Sequence, residues 1–191
     1  MKLLIGLVGE IGGGKGTFFT LLKEQTSQYT VVKIGFSDII RETLTLWGLS
    51  HTRENLQKLP QAMDQWYGVG SLSHAIQKKA ESKAEDVVML DGVRWETDFE
   101  MIKGFPNNCL VYITAAPAVG FLRLRARAQN IGDANLNWDT FFEQEQAPNE
   151  MKIAHIGSRA DYKIENNSSI EDYRNQVKDF CGKFLNQKPA A

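Results

Sequence analysis

The sequence predicts an α/β protein in which a five-stranded parallel sheet is covered by helices on both faces. Short apolar or β-branched runs alternate five times with stretches of helical spacing over 191 residues, and parallel strands need such crossover helices. A glycine-rich segment, 9–17, lies between the first run and the first helical stretch. Asp91 closes the third apolar run, at the sheet edge where ligands bind in open α/β folds. The sequence therefore predicts a three-layer fold with an anion site at that edge.

The predicted strands are short apolar or β-branched runs that end at glycine or polar residues. They cover 3–8, 30–34, 87–90, 110–114 and 162–164. The third run ends at Asp91-Gly92, a pair typical of a turn.

The predicted helices have apolar residues at helical spacing. Gly48 can end the second helix, and Thr52 can cap the N-terminus of a polar helix that runs towards Trp66. Pro60 is expected to kink or break that helix. The predicted helices span 17–24, 38–46, 52–66, 71–83, 96–103, 121–128, 138–146 and 169–185.

These elements predict one domain over 1–191. Segment 49–84 is helical with no strand inside it, so we expect a helical lobe inserted over the sheet edge. Segment 130–137 is rich in glycine, asparagine and aspartate, and we expect a lid over 128–140.

The composition restricts the partners and the compartment. The 22 basic and 23 acidic residues leave a net charge of −1, so any anion site must be local rather than a general basic surface. Cys109 and Cys181 are too few and too far apart for a disulfide framework. No apolar run approaches the roughly 20 residues that span a bilayer, and the first run is expected to be a strand rather than a secretory signal. We expect a cytoplasmic protein, with neither nucleic acid nor membrane as a partner.

The segment from Gly9 to Thr17 fits the G-x-x-x-x-G-K phosphate loop and stands correctly between a strand and a helix. Glycines let backbone N–H groups converge on phosphate oxygens, and the following helix presents its positive end to the same anion. Lys15 adds a formal charge for the β- and γ-phosphates, and the Thr17 hydroxyl follows Gly16. This pattern predicts the P-loop NTPase fold. The residues expected to bind ATP or GTP are Gly9, Gly12, Gly13, Gly14, Lys15, Gly16 and Thr17.

Asp91 is expected to lie beside the phosphate loop, where a carboxylate can orient Mg²⁺ or its waters. Thr17 is the second candidate for the metal. Gly92 follows Asp91, so the acid that usually activates water in hydrolytic ATPases is missing, which favours phosphoryl transfer over hydrolysis. The alternative for Asp91-Gly92 is a simple turn.

Candidate acceptor residues follow the second and third strands. The segment Asp91-Gly92-Val93-Arg94 resembles Asp-Gly-x-Pro-Arg of adenylate kinase, whose arginine binds the acceptor's phosphate. Asp38 and Arg41 resemble the Gly-Asp-x-x-Arg segment of the same kinases and share one helix face. Arg41 is expected to bind an acceptor phosphate, and Asp38 to accept a proton from an acceptor hydroxyl. The alternatives are an N-cap for Asp38, its ion-pair partner for Arg41, and a solvated arginine for Arg94.

Arg123 and Arg127 lie four residues apart and share a face of the predicted sixth helix, just before the predicted lid. We expect both to neutralise charge on the transferring phosphoryl group. The alternative is a solvated basic helix. Trp47, Trp66, Trp95 and Trp138 are expected to be packing anchors.

Taken together, these motifs resemble the P-loop nucleoside and nucleotide kinases over nearly the whole chain, and most closely the archaeal-type dephospho-coenzyme A kinase group. The shared segments are Gly-x-x-Gly-Gly-Gly-Lys-Gly, Thr52-Arg53-Glu54-Asn55, Asp91-Gly92-Val93-Arg94, the helix with Phe121, Arg123 and Arg127, then Trp138, Phe141, Ala160-Asp161 and Asn166. Arg53 becomes a further candidate for binding the acceptor, the molecule that receives the phosphate, and the inserted lobe 49–84 is expected to bind that acceptor. Three positions depart from the group, because Gly120 and Gln129 stand where arginines are expected and Glu10 where a small or apolar residue is expected.

The resemblance implies a kinase that transfers the γ-phosphate of ATP or GTP to a nucleotide-like acceptor, with Mg²⁺. The acceptor is expected to be dephospho-coenzyme A or a nucleoside or deoxynucleoside monophosphate. The alternative is a nucleotide-binding switch or assembly factor that hydrolyses its nucleotide slowly.

Overall fold

The computed structural model describes residues 3–127, 136–147 and 150–185, apart from the side chains of Arg53 and Arg127. Its sheet has five parallel strands in the order β2-β3-β1-β4-β5. The strands are β1 (Leu3–Val8), β2 (Val31–Gly35), β3 (Val87–Asp91), β4 (Asn108–Thr114) and β5 (Tyr162–Glu165). The predicted fold class is confirmed.

The helices alternate with the strands as predicted. They are α1 (Lys15–Gln25), α2 (Phe36–Leu46), α3 (Arg53–Tyr67), α4 (Ser71–Glu81), α5 (Glu96–Lys103), α6 (Pro117–Arg127), α7 (Trp138–Glu145), α8 (Ile153–Gly157) and α9 (Ile170–Phe184). In the described residues, no helix combines the length and apolarity that crossing a bilayer requires.

The alternating side chains of the strands fill two cores, one on each face of the sheet. Ile5 and Leu7 face α1 and α9, where Phe18 and Phe180 meet edge to face with ring centroids 5.4 Å apart. Leu4 and Val8 face the other core, to which α4, α5 and α8 contribute Ile76, Ala80, Ile102, Ile153 and Ile156. Because both faces of β1 are buried, its apolar run is continuous rather than alternating.

The register of the strands brings their carboxyl ends to one edge. Asp91, the last residue of β3, pairs with Leu7 of β1 and with Gly35 of β2. Val8 pairs with Tyr112 of β4. The phosphate loop that leaves β1 therefore starts between Asp91 and the end of β4.

Some local expectations need correction. Pro60 lies inside α3, and the helix continues through it from Arg53 to Tyr67. The short helix α8, which packs Ile153 and Ile156 into the core, was not predicted. The tryptophans are largely exposed, at 57%, 77%, 40% and 43% for Trp47, Trp66, Trp95 and Trp138. Trp138 nevertheless packs its ring against Phe121 and Phe141, as expected of a packing anchor.

Candidate phosphate-binding site

The backbone of segment 9–14 forms a compact loop between β1 and α1. Gly12 and Gly14 have φ angles of 76° and 106°, in the left-handed region that glycine tolerates best. A Cβ atom on Gly14 would lie 2.4 Å from Asn166 Nδ2, and one on Gly12 would lie 2.4 Å from the carbonyl oxygen of Gly120. Both glycines are therefore required by conformation and by close packing.

The N-terminus of α1 faces this loop. Gly14 precedes the helix without a side-chain capping bond, and the first turn contains no acidic residue. Uncapped N–H groups and the helix dipole form an anion site. Gly16 lies in this first turn, and a Cβ atom added there would meet nothing within 4 Å in the described structure. Protein packing thus leaves the side of Gly16 open to a ligand.

Lys15 lies over the loop. Its Nζ donates to the carbonyl oxygens of Gly9 (2.6 Å) and Glu10 (2.9 Å). Burial lowers the pKa of Lys15, while the carboxylate of Asp91 is the strongest opposing influence. Lys15 and Asp91 are therefore close enough to interact, as the sequence predicts.

Asp91 provides the carboxylate at this sheet edge. Its side chain is 22% exposed and its Oδ2 lies 3.6 Å from Lys33 Nζ. In the described residues, no three His, Cys, Asp or Glu side chains are grouped to hold a metal ion. Mg²⁺ commonly uses one or two protein carboxylates, with phosphate oxygens and waters as its remaining ligands, so a single Asp91 fits its requirements.

Arg94 reaches the same site from the turn after β3. Its guanidinium binds Glu150 at 2.9 Å, and the Glu150 side chain is only 7% exposed. The backbone N–H groups of Arg94 and Trp95 both donate to Asp98, at 3.0 Å each. Asp98 is buried and also accepts a bond from Ser73 of the helical lobe at 2.6 Å, while burial raises its pKa. Asp98 therefore fixes the turn that presents Arg94.

Glu10 brings an unexpected negative charge to the loop. One carboxylate oxygen accepts a hydrogen bond from the Tyr112 hydroxyl, and Oε2 is buried without a hydrogen-bond partner in the described structure. Burial and this bond raise the pKa of Tyr112 to about 12. Glu145, at the end of α7, is half-buried nearby, and its pKa is raised by burial and then by the charges of Glu10 and Glu150. Carboxylates thus share the site with Lys15 and Arg94.

Arg123 points to the loop after β5. Its guanidinium donates to the backbone oxygen of Asn166 at 2.8 Å and to Asn166 Oδ1 at 3.2 Å. Helix α6 itself packs on α7 through an aromatic cluster in which Phe121 contacts Trp138 and Phe141, with ring centroids 5.4 and 5.5 Å apart. Arg123 is therefore partly buried and held, rather than a solvated helix residue.

Asp38 and Arg41 line a shallow depression on α2. Asp38 is exposed, and its Oδ2 accepts a bond from the backbone N–H of Gly35 at 2.9 Å, which caps the helix. The N-cap of α2 is therefore Gly35 and not Asp38, which stands at the third helical position and accepts from the N-cap N–H. The side chains of Arg53 and Arg127, Gln129, and most of the predicted lid at 128–140 lie outside the described residues.

Several residues of the site are not predicted by the sequence. Asp98 had a local signal, since it stands three residues after Trp95 at the start of α5, the position of a capping acid. Glu150 and Tyr112 had no such signal, because nothing near them in the chain indicates that they fold next to Arg94 and Glu10.

The order of the strands, the loop and the position of Asp91 define a P-loop protein with the fold of small-molecule kinases. A shikimate kinase from Bacteroides thetaiotaomicron has the same fold, with a TM-score of 0.62 and 16% identity over 94% of this chain and 97% of that one. A gluconokinase from Sinorhizobium meliloti matches with a TM-score of 0.53 and 12% identity, over 93% and 90% of the two chains. At this identity the likeness concerns the fold alone.

Two relatives by sequence are UPF0200 proteins. The chain is 29% identical over 191 residues to a UPF0200 protein of Thermococcus kodakarensis, covering 97% of this chain and 100% of the relative. It is 26% identical over 186 residues to a UPF0200 protein of Methanocaldococcus jannaschii, covering 96% and 91%. No protein-family model matches the chain.

Proposed function

We propose that this protein is a small-molecule kinase that transfers the γ-phosphate of ATP or GTP to a nucleotide-like acceptor. The observation that supports this best is that the uncapped start of α1, Lys15 and Asp91 meet at the carboxyl edge of the sheet. Gly92 follows Asp91 where a hydrolytic ATPase would have its water-activating acid. The fold, which small-molecule kinases share, agrees with this proposal.

The donor would bind with its phosphates against the N–H groups of segment 9–17. Lys15 would leave the carbonyl oxygens of Gly9 and Glu10 and bind the β- and γ-phosphates instead. Mg²⁺ would be held by Asp91 and Thr17, and when bound it neutralises charge on the donor's phosphates.

Transfer moves one phosphoryl group. The acceptor oxygen bonds to the γ-phosphorus as the bond to the β-phosphate oxygen breaks, leaving ADP or GDP. Arg41, Arg53 and Arg94 would hold the acceptor, and Arg123 and Arg127 would neutralise the transferring group. Catalysis would then consist mainly of positioning and charge neutralisation.

Two acceptors are proposed, and they differ in their need for a base. The 3′-hydroxyl of dephospho-coenzyme A loses a proton during transfer, which Asp38 would accept. A nucleoside or deoxynucleoside monophosphate attacks with an oxygen that is already anionic and needs no base.

A screen with labelled ATP and GTP against dephospho-coenzyme A, nucleoside monophosphates and deoxynucleoside monophosphates tests the proposal. Asp38→Asn is the informative variant, because asparagine can still cap α2 by accepting from Gly35 N–H but cannot take up a proton. A large loss with dephospho-coenzyme A and a small loss with monophosphates would support Asp38 as the base. Equal, small losses with both would refute that role.

The second candidate is a nucleotide-binding switch or assembly factor with slow hydrolysis. The observation that favours it is the apolar surface of the helical lobe, where Trp66, Tyr67 and Val69 are 77%, 77% and 84% exposed. If every acceptor fails while ATP or GTP still binds, this candidate replaces the kinase.

A further inference from the structure

A phosphate loop needs partners for its carbonyl groups as well as for its anion. When backbone N–H groups point inwards to a phosphate, the carbonyl oxygens of the same peptides point outwards into the protein. Buried carbonyl oxygens without donors are costly, so native structures supply them. The outward carbonyl groups of this loop are therefore a guide to the residues that hold its shape.

Asn166 supplies one of these donors. It follows β5, is 5% exposed, and donates from Nδ2 to the carbonyl oxygen of Gly13 at 2.9 Å. Its own backbone is fixed, since Asn166 N–H donates to the Thr114 carbonyl at 2.8 Å. Tyr173 of α9 supplies the next donor, from its hydroxyl to the carbonyl oxygen of Gly14 at 3.1 Å.

The other end of the Asn166 amide faces Arg123. Arg123 donates to Asn166 Oδ1 at 3.2 Å and to the Asn166 backbone oxygen at 2.8 Å. An arginine can only donate and a carbonyl oxygen can only accept. In one orientation of the amide, its nitrogen therefore donates to the Gly13 carbonyl and its oxygen accepts from Arg123. An aspartate at this position could accept from Arg123 but could not donate to Gly13.

We propose that Asn166 is a positioning residue that holds the phosphate loop open to the donor's phosphates and links the loop to Arg123. Its amide keeps the Gly13 carbonyl turned away from the anion, so that the neighbouring N–H groups face it. Arg123 acts on the loop through Asn166, in addition to the contact with the transferring group proposed above. This inference rests on the proposed function only in requiring that the loop binds a nucleotide.

Asn166→Asp is the sharpest test, because it keeps the size and the acceptor for Arg123 but places a carboxylate oxygen against the Gly13 carbonyl. Leaving the buried Gly13 carbonyl without its donor disfavours the phosphate-binding conformation of the loop by roughly 5- to 150-fold. We expect ATP affinity, measured by calorimetry on folded protein, to fall within this range. Asn167→Asp is the matched control, since Asn167 is exposed and its Oδ1 accepts a bond from Ala116 N–H at 2.6 Å. That control should keep its ATP affinity within about twofold.

A double-mutant cycle separates positioning from a general loss of stability. Asn166→Ala and Arg123→Ala should each weaken ATP binding, and their combination should cost clearly less than the product of the two losses because both belong to one network. In kinetic assays, KM for ATP should rise more than kcat falls in Asn166→Asp. The proposal would be overturned if the fold-loss of the double variant equalled the product of the two single losses. It would also be overturned if Asn166→Asp bound ATP with wild-type affinity.

Failure of the proposed function gives a different result. If no acceptor is phosphorylated but ATP binds, the calorimetric comparison still decides the role of Asn166. If the wild-type chain binds neither ATP nor GTP, both proposals are refuted.

Discussion

Gly120 allows α6 to pack directly on the phosphate loop, so replacing it with alanine should disturb both the packing of α6 and the shape of the loop. A Cβ atom at position 120 would lie 2.8 Å from the carbonyl oxygen of Ile11, where ordinary contact begins at 3.4 Å. The opposing atom belongs to the backbone, so it cannot rotate away. The arginine expected at this position in the resembled kinases would bring the same Cβ atom.

The magnitude follows from two opposing effects. Alanine is favoured over glycine inside a helix by roughly 0.8–1 kcal/mol. Overpacking against fixed backbone costs about 1–3 kcal/mol. Gly120→Ala should therefore range from neutral to destabilising by about 2 kcal/mol.

Gly182→Ala in α9 is the matched control. Gly182 is exposed, and an added Cβ atom meets nothing within 4 Å in the described structure. The free energy of unfolding of this variant should rise by up to about 1 kcal/mol, which raises the melting temperature by roughly 2–4 °C for a chain of this size.

Urea unfolding of both variants and calorimetric titration with ATP test the reasoning. We expect the two free energies of unfolding to differ by about 1–3 kcal/mol, and only Gly120→Ala to bind ATP more weakly, because its loop must shift. Equal stabilisation by the two substitutions, with ATP affinity unchanged, would show that α6 does not constrain the loop.

Three further substitutions address the charges of the site. Asp91→Asn should lower kcat with labelled ATP by about 100-fold or more, while ATP affinity without Mg²⁺ stays the same or rises because a negative charge beside Lys15 is removed; unchanged kcat would exclude Asp91 from catalysis. Glu150→Gln should release Arg94 and lower the acceptor KM by about 5-fold or more, and Glu96→Gln, which breaks an exposed ion pair, is the control that should leave KM unchanged. Burial raises the pKa of Glu145 above its ordinary 4.5, so the contribution of Glu145 to the free energy of unfolding should fall as pH rises from 4.5 through that raised value. Glu145→Gln should lack this fall when urea unfolding is compared at acidic and neutral pH, and parallel profiles would contradict the shift.

Much of this protein was determined by short stretches of sequence. Both faces of a parallel strand are buried, so Leu3–Val8 and the first four residues of β3 had to be nonpolar and could be recognised without a structure. The phosphate loop was equally visible, because an anion site made of backbone N–H groups needs glycines and a lysine within a few consecutive residues. The position of Asp91 could be predicted from the strands and the loop together, since the last residue of a parallel strand lies at the edge where the loop begins.

Only the tertiary structure decided which distant residues support that loop. Asn166 and Tyr173 lie more than 150 positions from the glycines whose carbonyl groups they bind, and Glu150 lies far from Arg94 in the chain. The strand order β2-β3-β1-β4-β5 places β5 and α9 beside the loop, and no local pattern encodes that order. The exposed tryptophans have the same explanation, because residue type indicates a tendency to be buried, whereas burial itself depends on which surfaces the completed fold brings together.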